Sequence, residues 1–256
     1  MTKTKKVVGL FSAALIASSM ALTDAKAEIS QTDLSKALDQ YLQTDQGQEA
    51  IGKAAQSYFK NLQAKAQKER AEKEAAALED QFKNPVNIEV AGSPVKGKSD
   101  AKITIIEFSD FECPFCSRGM STMEEVMKAY PNDVKVVFKN LPLPFHKNAE
   151  PAAKAALAAG KQGKFWEMHD KLFANQKSLS DAFYEKTAKE IGLDVAKFKK
   201  DLSDPAIQKQ IDEDKELAKQ HGISGTPGFF VNGVAVKGAY PFDHFKQIID
   251  RWLAKS

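Results

Sequence analysis

Residues 103–116, "ITIIEFSDFECPFC", join a run of β-formers directly to a pair of cysteines. "ITIIEF" is a run of β-formers with little polar alternation, which predicts a strand buried on both faces. The strand runs directly into Cys113-Pro114-Phe115-Cys116, where a helix opens and continues to about Tyr130. Pro114 suits the first turn of that helix, because its missing N–H costs nothing there. A second strand, "VKVVFK", follows at 134–139. Strand, helix and strand in this order predict an α/β chain: a mixed sheet covered by helices on both faces.

Residues 148–221 read as a helical block: "NAEPAAKAALAAGKQ", "KFWEMHDKLFAN", "SDAFYEKTAKEIG", "DVAKFKKDL" and "DPAIQKQIDEDKELAKQHG". Ser, Asp and Asn residues cap the starts of the later helices, or a Gly marks the end. Strands return as "GFFVN" and "VAVKG", joined at Asn232-Gly233, a strong hairpin signal. "PFDHFKQIIDRWLAK" closes the chain as an amphipathic helix.

The front of the chain is different. Lys3, Lys5 and Lys6 precede an apolar run from Val7 to Leu22, and "AKA" at Ala25–Ala27 supplies the small residues of a cleavage site. This pattern predicts a signal peptide over 1–27, a mature start at Glu28 and export to a bacterial periplasm. That compartment is oxidising. The formal net charge of +3 is carried by this leader, so the remainder is balanced. A balanced chain gives no electrostatic reason to expect nucleic acid or an anionic membrane as partner.

Residues 28–84 read as a helical segment. Ile51, Ala55, Tyr58 and Leu62 step by four, three and four, an a/d-type stripe. Such a helix cannot bury its stripe on itself. It packs either on its own globular domain or on another copy, and the expectation here is a homodimer or trimer formed through these helices. Residues 85–102 hold Pro85, Gly92, Pro94 and Gly97 and read as a linker, with a possible short strand at Asn87–Val90. The globular domain is expected over 103–256.

The chain has two cysteines, Cys113 and Cys116. A zinc or iron–sulfur site normally takes about four protein ligands. The four histidines, His146, His169, His221 and His244, are scattered without a paired motif, so no metal site is expected. His169 reads as a packed helix residue, His221 as a helix-end residue, and His146 and His244 as residues near turns. A static disulfide closing a two-residue loop gains little in the chain-entropy account. The remaining reading is a redox dithiol at the start of a helix. There the dipole and free N–H groups favour a thiolate on an exposed Cys113, while Cys116, one turn in, stays covered and resolves mixed disulfides.

"EFSDFECPFC", followed far downstream by "GISGTPGFFVNG" at 222–233, resembles the DsbA-like thiol:disulfide oxidoreductases of the thioredoxin-fold superfamily. The resemblance spans roughly residues 85–256, and "FKNLPLPFH" and "GKFWEMHDKLF" share in it. It implies a thioredoxin fold with a helical insertion at 148–221, and a cis-proline loop at Thr226-Pro227 lying against the thiols to hold substrate backbone. Thr226, Pro227, Pro114 and Phe115 become the expected substrate-contacting residues. Phe111 and Phe115 could add apolar surface, whereas core packing explains Phe108. Glu107 matches the family's buried acid, expected to relay the proton of Cys116; its plainer reading is a carboxylate at a strand edge.

Three departures stand out. Phe115 takes the place of a histidine in the central dipeptide and cannot donate a hydrogen bond. Thr226 before the proline, together with the helical N-terminal segment, resembles the DsbC-type isomerases and the suppressor-of-copper-sensitivity proteins. The expectation is therefore a periplasmic oxidoreductase, isomerase or oxidase, acting on unfolded or misfolded exported proteins. It needs no cofactor beyond its own disulfide and is reset by a membrane redox partner, because each turnover changes its oxidation state. The alternative of another class is a non-enzymatic chaperone or copper-binding module.

Overall fold

The computed structural model describes residues 30–255. The expected signal peptide and the start at Glu28 lie outside the described residues. The chain divides into two compact units, Met1–Ala75 and Ala76–Ser256.

In the first unit, helix α1 (Gln31–Leu42) is capped by Ser30, whose hydroxyl accepts from the Asp33 N–H. Helix α2 (Asp45–Lys83) begins here and runs on past the unit boundary. The sequence stripe is not covered: Ile51 and Leu62 are exposed, as are Tyr58 and Phe59 at 62% each.

The second unit is built on a sheet of five strands among the described residues, in the order β1-β3-β2-β4-β5. The strands are β1 (Val95–Gly97), β2 (Ile103–Ser109), β3 (Val134–Asn140), β4 (Gly228–Val231) and β5 (Val234–Lys237). Strands β2 and β3 are parallel, and the other pairs are antiparallel. The edge strand differs from the sequence expectation. It forms at Val95–Gly97 rather than Asn87–Val90. Ile88 is instead buried as a core residue beside Ile106 and Phe230.

Helix α3 (Pro114–Ala129) crosses from β2 to β3. With α9 (Phe242–Leu253) it covers one sheet face, where Ile103, Ile105, Met123, Val126, Phe229, Phe245 and Ile249 pack together. The opposite face of β2, Ile106 and Phe108, packs with Ala218 of α8 (Pro205–Gln220). Alternation along the strand explains the two assignments.

Between β3 and β4 lie α4 (Ala149–Gly160), α5 (Phe165–Ala174), α6 (Asp181–Glu190), α7 (Val195–Asp201) and α8. Alanine lets α4 pack closely: Ala152, Ala155, Ala156, Ala158 and Ala159 have no measurable exposure. Ser180, Asp194 and Asp204 cap α6, α7 and α8 through side-chain oxygens, as the sequence pattern suggested.

The last turns of α2 belong to this second unit. Phe82 is buried against Trp252, ring centroids 5.1 Å apart, and the Arg251 guanidinium lies over the same ring at 3.9 Å. Arg251 also makes a two-pronged pair with Glu79, at 2.6 Å on each side. Gln81 accepts from the free edge of β5 at Ala235 N–H, 2.7 Å. This unit therefore takes in residues upstream of the globular start expected at 103 and of the linker expected at 85–102, because these helix turns complete its core and its sheet edge.

Candidate functional site

Cys113 is the N-cap of α3, with extended backbone, and Pro114 takes the first helical turn. Both thiols are free. Cys113 is more covered than the sequence suggested, at 4% exposure. The reason is the loop before β4. The Thr226-Pro227 bond is cis, and the Thr226 carbonyl oxygen lies 3.6 Å from Cys113 Sγ. Phe115 stands out from the same turn, 54% exposed, with the Arg118 guanidinium 4.4 Å over its ring.

The two sulfurs are electrostatically unlike. The Cys116 thiol beside Cys113 holds the latter down to about 5, with help from the Thr226 side chain and the Cys116 and Phe115 N–H groups, against an opposing effect of burial. Burial pushes Cys116 far up, and the neighbouring Cys113 adds to this. At neutral pH the pair is one thiolate and one thiol, with the charge at the helix start, where free N–H groups stabilise it.

Glu107 is in the central strand β2, not at an edge, and is 2% exposed. Burial pushes its carboxyl up to about 7, and the Ser109 hydroxyl offsets part of this. Alternation along β2 places Glu107 and Ser109 on the face that packs against α3.

Several residues that hold the site carry no clear mark in the sequence. The buried Asp110 carboxylate accepts from Glu112 N–H (2.7 Å), Leu143 N–H (2.8 Å) and His146 Nδ1 (2.8 Å), while its own N–H donates to Cys116 Sγ (3.4 Å). Glu112 accepts from Asn148 N–H at the start of α4, 2.6 Å. Gln176 donates to the carbonyls of both Phe111 and Cys113 at 2.9 Å. These bonds tie the thiol-bearing turn to the helical insertion. Only Asp110 has a local signal, as an Asp accepting from the N–H two residues on. Gly119, one turn beyond Cys116, lets the proline loop approach: a Cβ there would lie 3.2 Å from Pro227 Cγ and 3.1 Å from Phe229 Cζ.

The family model for thioredoxin matches residues 89–251. The chain belongs to the thioredoxin family. Among solved structures, it is similar to a thioredoxin-like oxidoreductase from Silicibacter pomeroyi (30% identity, 65% of this chain and 94% of that one, TM-score 0.60). It is also similar to oxidised BdbD from Bacillus subtilis (28% identity, 66% and 97%, TM-score 0.61). A third is the catalytic domain of Proteus mirabilis ScsC (30% identity, 70% and 98%, TM-score 0.56). The fold is thus that of a thioredoxin-like oxidoreductase and of the ScsC catalytic domain, and it supports thiol–disulfide exchange. Among curated relatives, a Na(+)/H(+) antiporter NhaA 3 of Salinispora tropica is 40% identical over 147 residues, 57% of this chain and 22% of the antiporter. The chain spans about a fifth to a quarter of the length of the curated relatives it matches. Among the described residues, no helix is long and apolar enough to cross a membrane.

Proposed function

We propose that the chain is a periplasmic thiol:disulfide oxidoreductase acting on disulfides of other exported proteins, as isomerase or oxidase. The observation that carries this reading is the unlike pair of sulfurs, a depressed Cys113 against a raised Cys116, set beside Thr226-Pro227. The Cys113 thiolate attacks one sulfur of a substrate disulfide. That S–S bond breaks, a Cys113–substrate disulfide forms, and the other substrate sulfur leaves as a thiolate. Cys116 then gives up its proton to Glu107 and attacks the Cys113 sulfur. The internal disulfide forms, the second substrate sulfur leaves, and two electrons have passed from the dithiol to the substrate. Oxidation runs the same steps backwards. A membrane redox partner resets the pair in either direction, and no other cofactor takes part.

Phe115 and Pro114 supply exposed surface for unfolded substrates beside the nucleophile. The basic and apolar pattern of residues 1–27 supports export. The uncovered apolar residues of α2 support a homodimer or trimer, which would bring several dithiols to one misfolded chain, the arrangement that suits an isomerase. The test is a pair of variants mixed with a peptide disulfide. Cys116→Ala traps the peptide on Cys113, and Cys113→Ala loses all turnover. Turnover in Cys113→Ala would overturn the dithiol mechanism. Protection of unfolded chains from aggregation, with no exchange in the wild type, would replace the enzyme with a chaperone.

A further inference from the structure

A cavity of about 190 Å³ lies against the sheet face that carries Glu107. The charged and titratable groups around it come from four elements: Lys96 of β1, Glu107 of β2, Glu124 of α3, and His169 and Asp170 of α5. Much of the remaining wall is methionine and tryptophan. Glu107 Oε1 and His169 Nε2 are both buried without a hydrogen-bond partner, and so is Ser109 Oγ. Unpaired buried polar atoms are costly, and a cavity of this size, largely apolar but with Glu107 and His169 on its wall, has room for several waters at about 30 Å³ each.

The state of His169 follows from its other nitrogen. Nδ1 lies 2.8 Å from Asp170 Oδ1. Burial raises Asp170, but the hydrogen bond from His169, with the Lys96 charge beside it, outweighs this and holds the carboxyl low. Asp170 is therefore an acceptor, Nδ1 carries the hydrogen, and Nε2 is a bare lone pair. Burial holds His169 below its usual range, so the ring is neutral at pH 7. The Asp170 side chain is 49% exposed and reaches bulk water.

We propose that the cavity is a proton outlet, in which His169 accepts through bridging water the proton that Glu107 has taken from Cys116, and Asp170 passes it to solvent. This rests on the reading of Glu107 given above and extends it to a positioning residue, His169. In the resolving step the Cys116 S–H bond breaks, the Cys113–Cys116 bond forms, the substrate sulfur leaves with its electron pair, and Glu107 gains the proton. Water then carries that proton to Nε2 as Nδ1 yields its own to Asp170.

The test follows two signals after the reduced full chain is mixed with dithiobis-nitrobenzoate. The second coloured thiolate reports the resolving step, and a pH-indicator dye reports the proton. In the wild type the two appear together. In His169→Gln the proton falls behind the coloured thiolate by about tenfold or more, and added imidazole removes the lag. Should that variant not fold, Asp170→Ala, altered at a half-exposed side chain, shows the lag instead. Coincident signals in a folded His169→Gln or in Asp170→Ala would overturn the outlet. Glu107→Gln distinguishes failure of the outlet from failure of the base. It slows release of the second thiolate, and a wild-type rate there would remove the Glu107 reading itself, whatever His169 does.

Discussion

Cys113 Sγ lies 3.6 Å from the carbonyl oxygen of Thr226, although 113 positions separate the two residues in the chain. The Cys113 sulfur is thus shaped by two segments at once. The helix start supplies stabilising N–H groups, and the proline loop supplies the wall that covers the sulfur.

The first consequence is a pH profile. Alkylation of the reduced chain by iodoacetamide should follow the Cys113 thiolate, with a midpoint near 5 rather than the ordinary 9.0. The sign for stability follows. A depressed acid stabilises the fold fully above pH 9, progressively less as pH falls, and not at all below about 5. The reduced protein should therefore lose melting temperature relative to the oxidised form between pH 9 and 5. A midpoint near 9 would mean that the helix start does not hold the thiolate.

Gly119 sets how closely the loop can approach. A Cβ would already crowd Pro227 and Phe229 at 3.2 and 3.1 Å. Alanine gains about 1 kcal/mol of helix propensity against that crowding. Valine adds methyl groups with nowhere to go, and overpacking of this kind costs about 1–3 kcal/mol. Gly119→Val should lower Tm, and displacement of Thr226 should move the Cys113 alkylation midpoint. An unmoved midpoint would show that the loop does not tune the thiol.

These two cases mark what is legible in the sequence. The strand–CPFC–helix order, the hairpin at Asn232-Gly233 and the helical block are local patterns, and the structure has them at those places. Pro227 can be placed beside the thiols only through family resemblance, because nothing in 116–227 encodes that distance. Glu107 is ambiguous in sequence for the same reason: the central place of β2 depends on which strands flank it. Asp110, Gln176 and Gly119 act across the fold, through partners far away in sequence. The edge strand escapes sequence reading because Val95–Gly97 is short and partly exposed, with little pattern to read.

The exposed residues of α2 make the next prediction. Ile51, Tyr58 and Leu62 recur on the stripe seen in sequence. Replacing all three by serine should reduce the solution mass of the full chain from an oligomer to a monomer, as read by light scattering. Exchange with a small disulfide should be preserved, because these residues lie outside the thiol-bearing unit. A wild-type chain that is already monomeric would sink the self-association reading.

At the other end of the same helix, Phe82 is an anchor. It is buried, ring-packed on Trp252 and capped by Arg251. Phe82→Ala should cost about 3–5 kcal/mol of domain stability, the usual range for a buried ring. Hydrogen exchange should rise first in 76–83. A loss under about 1 kcal/mol would mean that these turns are dispensable to the domain core.

Glu107 offers a test with the opposite sign to Cys113. Its carboxyl moves from an ordinary 4.5 to about 7 on folding, because burial penalises the charge. A raised acid contributes stability that is full below pH 4.5 and is lost as pH rises through 7. Glu107→Gln carries no such charge. The variant should gain stability relative to the wild type between pH 4 and 8, by on the order of 3 kcal/mol, since a tenfold change in proton affinity is worth about 1.4 kcal/mol. Urea unfolding of both proteins at the two pH values measures this directly. A difference that does not change with pH would show that Glu107 titrates normally, and the acid would then be too strong to act as the base for Cys116 near neutrality. A difference that grows as expected would leave a carboxyl poised to take that proton at the pH where the thiol must lose it.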